Sequence, residues 1–123
     1  MHGSKSSKHG FGRPQRLLNP SQFDAVYSTR QRVVDDCFSI NAARNTLGFP
    51  RLGLSIGAKA VGDSVERNRV KRQVRESFRR EASQLPALDL VVGARNGART
   101  AHNARLRESL AALWTEIRNR CAS

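Results

Sequence analysis

The sequence predicts an α+β fold in a single domain, and three observations predict it. The chain has 123 residues, within the roughly 100 to 150 usual for one compact domain. Its apolar residues change period along the chain, from helical spacing to alternation and back. At 38% hydrophobic residues it can bury about two thirds of its unfolded surface, which excludes a wholly disordered basic chain. The expected order is α-β-β-β-α-β-α, with helices packed on a small mixed sheet.

Residues 1–12 hold Ser, Gly, His and Lys with no apolar core. They read as a disordered basic arm, neither signal peptide nor anchor, ahead of one α+β domain over residues 13–120. Asn19-Pro20 is a helix start, because Asn caps the free amides and Pro suits the first helical position. The helix runs to about Ser28 with Phe23, Val26 and Tyr27 on one face. From Arg32 to Ala43 the period is two, with Val34, Phe38, Ile40 and Ala42 facing one side and Asp35, Cys37, Ser39 and Asn41 the other. After a turn-rich stretch a second strand, Arg51 to about Gly57, is expected to pair antiparallel with the first. Lys59 to Gly62 reads as a short third strand or a loop. Asp63, three residues before Glu66, opens a helix to about Ser83 that Pro86 stops. Leu88 to Ala94 reads as a buried strand, Arg95-Asn96-Gly97 as a turn, and Ala101 to Arg118 as a helix with Leu106, Leu110, Leu113, Trp114 and Ile117 on its packing stripe.

Charge narrows the function. Lys and Arg number 22 against 10 acids, a formal net charge of +12, which points to a polyanionic partner and away from ordinary small-molecule chemistry. Eighteen of those cations are Arg, whose planar fork suits phosphates and stacking on bases. Nucleic acid therefore fits better than a membrane surface, and no apolar run approaches the 18 residues of a spanning helix. Cys37 and Cys121 lack CxxC spacing, so reduced thiols in a cytoplasmic protein are expected.

Half of the net charge sits between Arg67 and Arg80, where seven cations meet one acid, Glu76. At 100° per residue, Val70, Val74 and Phe78 fall at roughly 300°, 340° and 20°, a stripe that can dock on the sheet. Lys71, Arg75, Asn68, Arg79 and Arg72 fall between about 40° and 140°, a continuous cationic face, with Arg69 and Arg80 near 200° to 220°. A solvated helix face usually mixes signs, with Glu four residues before Lys or Arg. Only Glu76 offers that pairing, with Arg79 and Arg80, so the face calls for an external anion.

Arg67-Asn68-Arg69-x-Lys71-Arg72-x-x-Arg75, preceded by Arg51-Leu52-Gly53-Leu54-Ser55-Ile56, resembles the protein subunit of bacterial ribonuclease P. The likeness runs from Arg16-Leu17 through the Phe23/Tyr27 helix and Cys37-Phe38 to Asp89-Leu90-Val91-Val92 and the last helix, about a hundred residues. It implies a ribonucleoprotein that removes the 5′ leader of precursor tRNA, one protein monomer per RNA, with the catalytic RNA doing the chemistry. Magnesium ions are expected at the RNA-based active site, none held by protein side chains alone. The resemblance also implies a left-handed βαβ crossover, against a general rule that makes about 98% right-handed. The RNA-binding residues are then Lys59, Arg67, Asn68, Arg69, Lys71, Arg72, Arg75 and Arg79. Phe23 and Tyr27 occupy positions that in the family line a cleft for the single-stranded leader, and Ser39 and Asn41 fall on the matching strand face. Phe23 serves equally well as core. Asn41 stands where an aromatic is common in the family, and Ala58 where a second Lys precedes Lys59; both bear on the strength of leader contact.

The residues agree that no nuclease site resides in the protein. A two-metal phosphodiester site needs several convergent carboxylates. Asp35 and Asp36, the one adjacent pair, would point to opposite faces of a strand, and Asp63 and Glu66 serve a helix start. His2 and His9 lie in the arm, and His102 reads as a surface residue. A structural RNA-binding protein of ribosomal type would explain the charge, size and α+β order equally well, without a leader cleft. A DNA-compacting protein would favour longer basic arms.

Overall fold

The structure, a computed structural model, describes residues 19–29 and 31–121; the expected arm lies outside them. Asn19 caps α1 (Pro20–Tyr27) by accepting from the Gln22 amide at 3.0 Å, while the Gln22 side chain accepts from the Asn19 amide at 3.2 Å. Both satisfy donors that a helix start leaves open.

The single strand expected from Arg32 to Ala43 is two strands. β1 (Gln31–Val34) and β2 (Phe38–Arg44) form an antiparallel hairpin. Asp35 makes the break: its Oδ1 accepts from the amides of Cys37 at 2.8 Å and Phe38 at 3.0 Å, a side-chain turn that competes with the strand ladder. Facing positions shift accordingly, with Val33 buried and Val34 exposed, while Phe38, Ile40 and Ala42 stay buried as expected. Cys37 is buried as well, beside Phe38 rather than on the opposite face. Asp35 and Asp36 belong to the turn and not to a strand.

The expected antiparallel pairing of β2 with β3 (Arg51–Ser55) does not form. β4 (Leu88–Ala94) lies between them, giving the sheet order β1-β2-β4-β3, antiparallel to β2 and parallel to β3. Consecutive strands neighbour each other only about two-thirds of the time. β4's apolar run is explained by burial on both faces. Leu88, Leu90 and Val92 join the main core, and Val91 packs with Val26, Phe23 and Ala43 on the other side.

Lys59–Gly62 is neither strand nor loop. It belongs to a helical turn, α2 (Ala58–Val61), ended by Gly62 at φ +111°, a conformation that side chains resist. Three strands thus precede the long helix, as expected, but by the splitting of the first. Asp63 caps α3 (Ser64–Glu81), accepting from the Glu66 amide at 3.1 Å. A 3₁₀ turn, Ala82–Gln84, leads to Pro86. The expected turn at Arg95-Asn96-Gly97 runs into a short α4 (Gly97–Thr100), and α5 (Asn103–Cys121) closes the fold.

α3 and α5 cover one face of the sheet and α1 the other. Val70, Val74 and Phe78 meet Phe38, Ile40, Leu90 and Val92, with Leu106, Leu110, Trp114 and Ile117 completing the cluster. Trp114 is fully buried, its Nε1 donating to Ser77 Oγ at 2.7 Å and its ring 6.0 Å from that of Phe78. Polar ties fix the periphery. Arg51 donates to both carboxylate oxygens of Asp89, at 2.9 and 2.8 Å, and Asn45 adds a third bond at 2.9 Å. Burial pushes the Asp89 carboxyl up, but the hydrogen bonds from Arg51 and Asn45 outweigh it and hold the group below its ordinary value. Asp35 behaves alike: burial is overcome by bonds from the Ser109 hydroxyl and the two turn amides. Cys37 and Cys121 are free thiols, both buried, and burial pushes the Cys37 thiol up. Among the described residues no helix is long and apolar enough to cross a membrane.

Phe78 has no exposed surface and fills the joint between α3, α5 and the sheet, whereas Arg79 next to it is exposed. Phe78→Ala should cost about 3 to 5 kcal/mol and Arg79→Ala almost nothing, as read by denaturant unfolding. Comparable losses would mean a different rotation of α3.

Candidate nucleic-acid interface

α3 has three working sides. Val70, Val74 and Phe78 meet the sheet, as the helical spacing predicts. The buried arc is wider than that stripe, because Gln73 and Ser77 are buried too and Ser77 bonds to Trp114 on α5. The α5 side also takes Arg69. Its Nε donates to Glu66 at 2.9 Å, and its Nη1 to the Ala101 carbonyl at 3.1 Å and Asn103 Oδ1 at 2.9 Å. Nη2 reaches the Ala98 carbonyl at 3.5 Å. With 27% of its side chain exposed, Arg69 is a brace between α3 and the α4–α5 connection. The hydrogen bonds occupy the fork that would otherwise grip a phosphate.

The third side is open. Asn68, Arg72, Arg75 and Arg79 are exposed, and Arg67 and Lys71 are half-buried at its margin. None of these side chains makes a hydrogen bond or ion pair with another described residue. Glu76 forms no salt bridge with Arg79 or Arg80. The one local neutralisation that the spacing allowed is therefore absent among the described residues. Four exposed cations (Arg72, Arg75, Arg79, Arg80) on one 18-residue helix repel one another unless an anion lies across them.

Further cations gather where the parallel strands β3 and β4 both end. Lys59, Arg95 and Asn96 line a groove of about 550 Å³ with Asp36, Ala60, Ala94 and Gly97. The loops there are locked together. Arg95 N donates to the Cys37 carbonyl at 2.8 Å and Gly97 N to the Asp36 carbonyl at 3.1 Å. A β-carbon at Gly97 would stand 2.5 Å from that Asp36 oxygen, so only glycine fits. Lys59 was expected at an RNA surface; Arg95 was read only as part of a turn. Its signal is a cation opening an Arg-Asn-Gly triplet, which local patterning assigns to turn chemistry alone.

The remaining candidates lie on the opposite face of the sheet. Pairing aligns Val34, Ser39, Gly93 and Ser55 in one row, and Arg32, Asn41, Val91 and Gly53 in the next. Ser39 and Asn41 are half-buried, and α1 crosses this face through Val26 on Val91. Tyr27 is 43% exposed, while Phe23 packs partly into the small cluster under α1. Tyr27 is thus exposed on the helix that crosses this face, and Phe23 is partly buried in the packing beneath it. Gly93 keeps the floor low, since a β-carbon there would come 3.1 Å from Ser39 Oγ. Among the described residues no three of His, Cys, Asp and Glu converge as a metal site. His102 is exposed.

Residues 11–118 match the family model Ribonuclease P. The chain belongs to the ribonuclease P protein family. The ribonuclease P protein component of Idiomarina loihiensis is 40% identical over 122 residues, 98% of this chain and 94% of that one. That of Escherichia coli O157:H7 is 45% identical over 107 residues, covering 87% and 90%. The ribonuclease P protein of Staphylococcus aureus has a similar structure, with a TM-score of 0.78 at 29% identity over 84% of this chain and 94% of that one. That of Thermotoga maritima gives 0.73 at 27% identity, over 82% and 96%. Within this ribonuclease P fold, the two arginines flanking Asn68 have different surroundings: the Arg67 side chain has no hydrogen-bond or ion-pair partner among the described residues and the Arg69 side chain is braced.

Arg69→Ala removes hydrogen bonds of a charged group, each contributing about 1.5 to 3 kcal/mol net, so it should lower the melting temperature clearly. Arg72→Ala should leave it unchanged. Equal melting temperatures for wild type and Arg69→Ala would show that the brace carries no stability.

Proposed function

We propose that this chain is the protein subunit of ribonuclease P, the ribonucleoprotein that cleaves the 5′ leader from precursor tRNA. The open side of α3, with Lys59 at the strand ends, binds the catalytic RNA, and the face under α1 holds the single-stranded leader. The observation that carries this reading is the row of α3 cations left without protein partners on a helix otherwise packed on two sides. Arg forks there would neutralise phosphates and release counterions, which favours tight, salt-sensitive association.

The active site is assigned to the RNA, with magnesium ions supplying the metal-assisted hydrolysis when bound there. Four of the protein's carboxylates have structural tasks: Asp35 turns the chain, Asp63 caps α3, Asp89 holds Arg51, and Glu66 holds Arg69. What the chain contributes is orientation. Tyr27 offers a ring for stacking, and Ser39 and Asn41 offer hydrogen-bonding groups over a floor kept low by Gly93, a combination that suits unpaired nucleotides. A purely structural RNA-binding protein of ribosomal type would use the α3 face and leave that second face without a task. The deciding experiment mixes the chain with the catalytic RNA and follows magnesium-dependent cleavage of precursor tRNA at near-physiological salt. Stimulated cleavage is expected; tight RNA binding without stimulation would favour the structural role.

Two pairs of variants test the surfaces separately. Arg72→Ala or Arg75→Ala should each reduce the slope of log affinity for the RNA against log salt by about 0.7 to 0.9, the share of one phosphate contact. Wild-type slope and affinity would make these residues a solvated face. Tyr27→Ala should weaken binding of precursor tRNA by about 1 to 3 kcal/mol, the range for one lost stack, and leave mature tRNA unaffected. Asn41→Tyr should hold or raise precursor affinity. Equal losses for both tRNAs, at unchanged melting temperature, would reduce α1 to scaffold.

A further inference from the structure

The connection between β4 and α5 carries a cation that neither the basic helix nor the sheet face accounts for. Arg99, in α4, is exposed, and its side chain makes no hydrogen bond or ion pair with another described residue. With Thr100, His102 and Asn103 it lines a surface cavity of about 300 Å³, whose remaining wall includes Glu66 and Arg69 of α3. That α3 wall is electrically spent. Glu66 pairs with Arg69 at 2.9 Å, and Arg69 is committed further to Asn103 and the Ala101 carbonyl. The uncompensated charge at the cavity is therefore that of Arg99.

Its guanidinium also has a defined place. Nε, Cζ and Nη2 lie 3.6 to 3.7 Å from where a β-carbon on Gly62 would stand, so the side chain rests against the joint between α2 and α3. Gly62 holds φ +111° there and leaves the approach open. Arg99 thus sits beside the first turn of α3, whose free side continues from Asn68 to Arg72. Arg69, through its bonds to the Ala98 and Ala101 carbonyls, ties the segment bearing Arg99 to the same helix.

We propose that Arg99, with the Thr100 hydroxyl and the His102 imidazole as neighbouring donors, forms a further phosphate site that extends the α3 face along the RNA subunit's backbone. The inference rests on the ribonuclease P reading. Phosphate is the ligand because the cavity offers a fork and short polar donors, with no Phe, Tyr or Trp in its lining to stack a base. The folded RNA is the occupant, and not the leader, because this connection packs with α3 across the sheet from Tyr27, Ser39 and Asn41. Charge complementarity and continuity with the α3 face both favour it.

The test is a salt series of equilibrium titrations of the full chain against the catalytic RNA, followed by binding of precursor and mature tRNA to the reconstituted enzyme. Arg99→Ala should reduce the salt slope by about 0.7 to 0.9, with the precursor-to-mature preference unchanged, and Arg99→Lys should keep most of the slope. A wild-type slope for Arg99→Ala overturns the site, with or without a drop in melting temperature, since such a drop would mark Arg99 as a brace over Gly62. A loss confined to precursor tRNA overturns it too, by placing Arg99 on the leader. Arg72→Ala in the same series separates the two readings. If Arg72→Ala flattens the slope and Arg99→Ala does not, only this site fails; if the wild-type chain does not bind the RNA at all, the ribonuclease P reading fails first.

Discussion

Because β4 runs parallel to β3 and antiparallel to β2 within one sheet, the chain between Ser55 and Leu88 has to cross from one end of the sheet to the other. Parallel neighbours cannot be joined by a tight turn. The crossing segment here is α3, so the most charged stretch of the chain is pressed onto the most apolar surface of the fold. The stripe of Val70, Val74 and Phe78 is what makes this possible. Everything the cations do follows from that docking, since it decides which of them face protein and which face solvent. Central placement of β4 also gives the sheet two usable faces, one covered by α3 and α5 and the other crossed only by the short α1.

Electrostatics divides the arginines by what lies within reach, not by where they fall in a motif. Arg51 has Asp89, Arg118 has Glu81, and Arg69 has Glu66 together with three acceptors in the α4–α5 region. These arginines fasten elements to one another. Arg72, Arg75 and Arg79 face solvent with no such acceptor among the described residues. Surface ion pairs taken alone contribute about 0 to 1 kcal/mol, so what such an arginine adds to stability comes from the further hydrogen bonds of its fork, as at Arg69. The unpaired set lowers stability slightly by mutual repulsion, a cost that an approaching polyanion removes.

Much of this was legible from the residues. The capped starts at Asn19 and Asp63, the packing stripe of α5, the doubly buried run of β4 and the open arc of α3 are all local patterns, and local patterns are what periodicity reports. The misreadings share a cause. Alternation runs through Asp35–Cys37 without a visible fault, because the signal for the turn is one carboxylate reaching two amides, and counting apolar positions does not detect it. The neighbour of β2 is β4, nearly fifty residues away, and not β3, because sheet order is settled by which strand is apolar on both faces. At Lys59–Gly62 a four-residue segment is too short for either period to declare itself. For the candidate site, composition and spacing located the cationic helix, but they could not separate Arg69 from Arg72. That distinction depends on Asn103 and the Ala101 carbonyl, more than thirty residues on.

The two faces of the sheet would allow a chain of this size to serve the two RNA strands of the proposed function at once. α3, α4 and the start of α5 present cations on one side, while the row Ser39, Gly93 and Ser55 presents a nearly uncharged, low floor on the other. A folded RNA offers regularly spaced phosphates and is best met by fixed point contacts on a rigid helix. An unpaired strand offers bases and is best met by a smooth surface with an aromatic at its edge. Placing both on one face would let a structured, highly charged RNA compete for the cleft. With four strands between them, the chemistry of each face can differ, and the clasp of Arg95 and Gly97 on the Asp35–Cys37 turn holds the groove where the two meet. Separation by the sheet, more than the affinity of either face, is what makes the proposed division between catalytic RNA and leader physically workable.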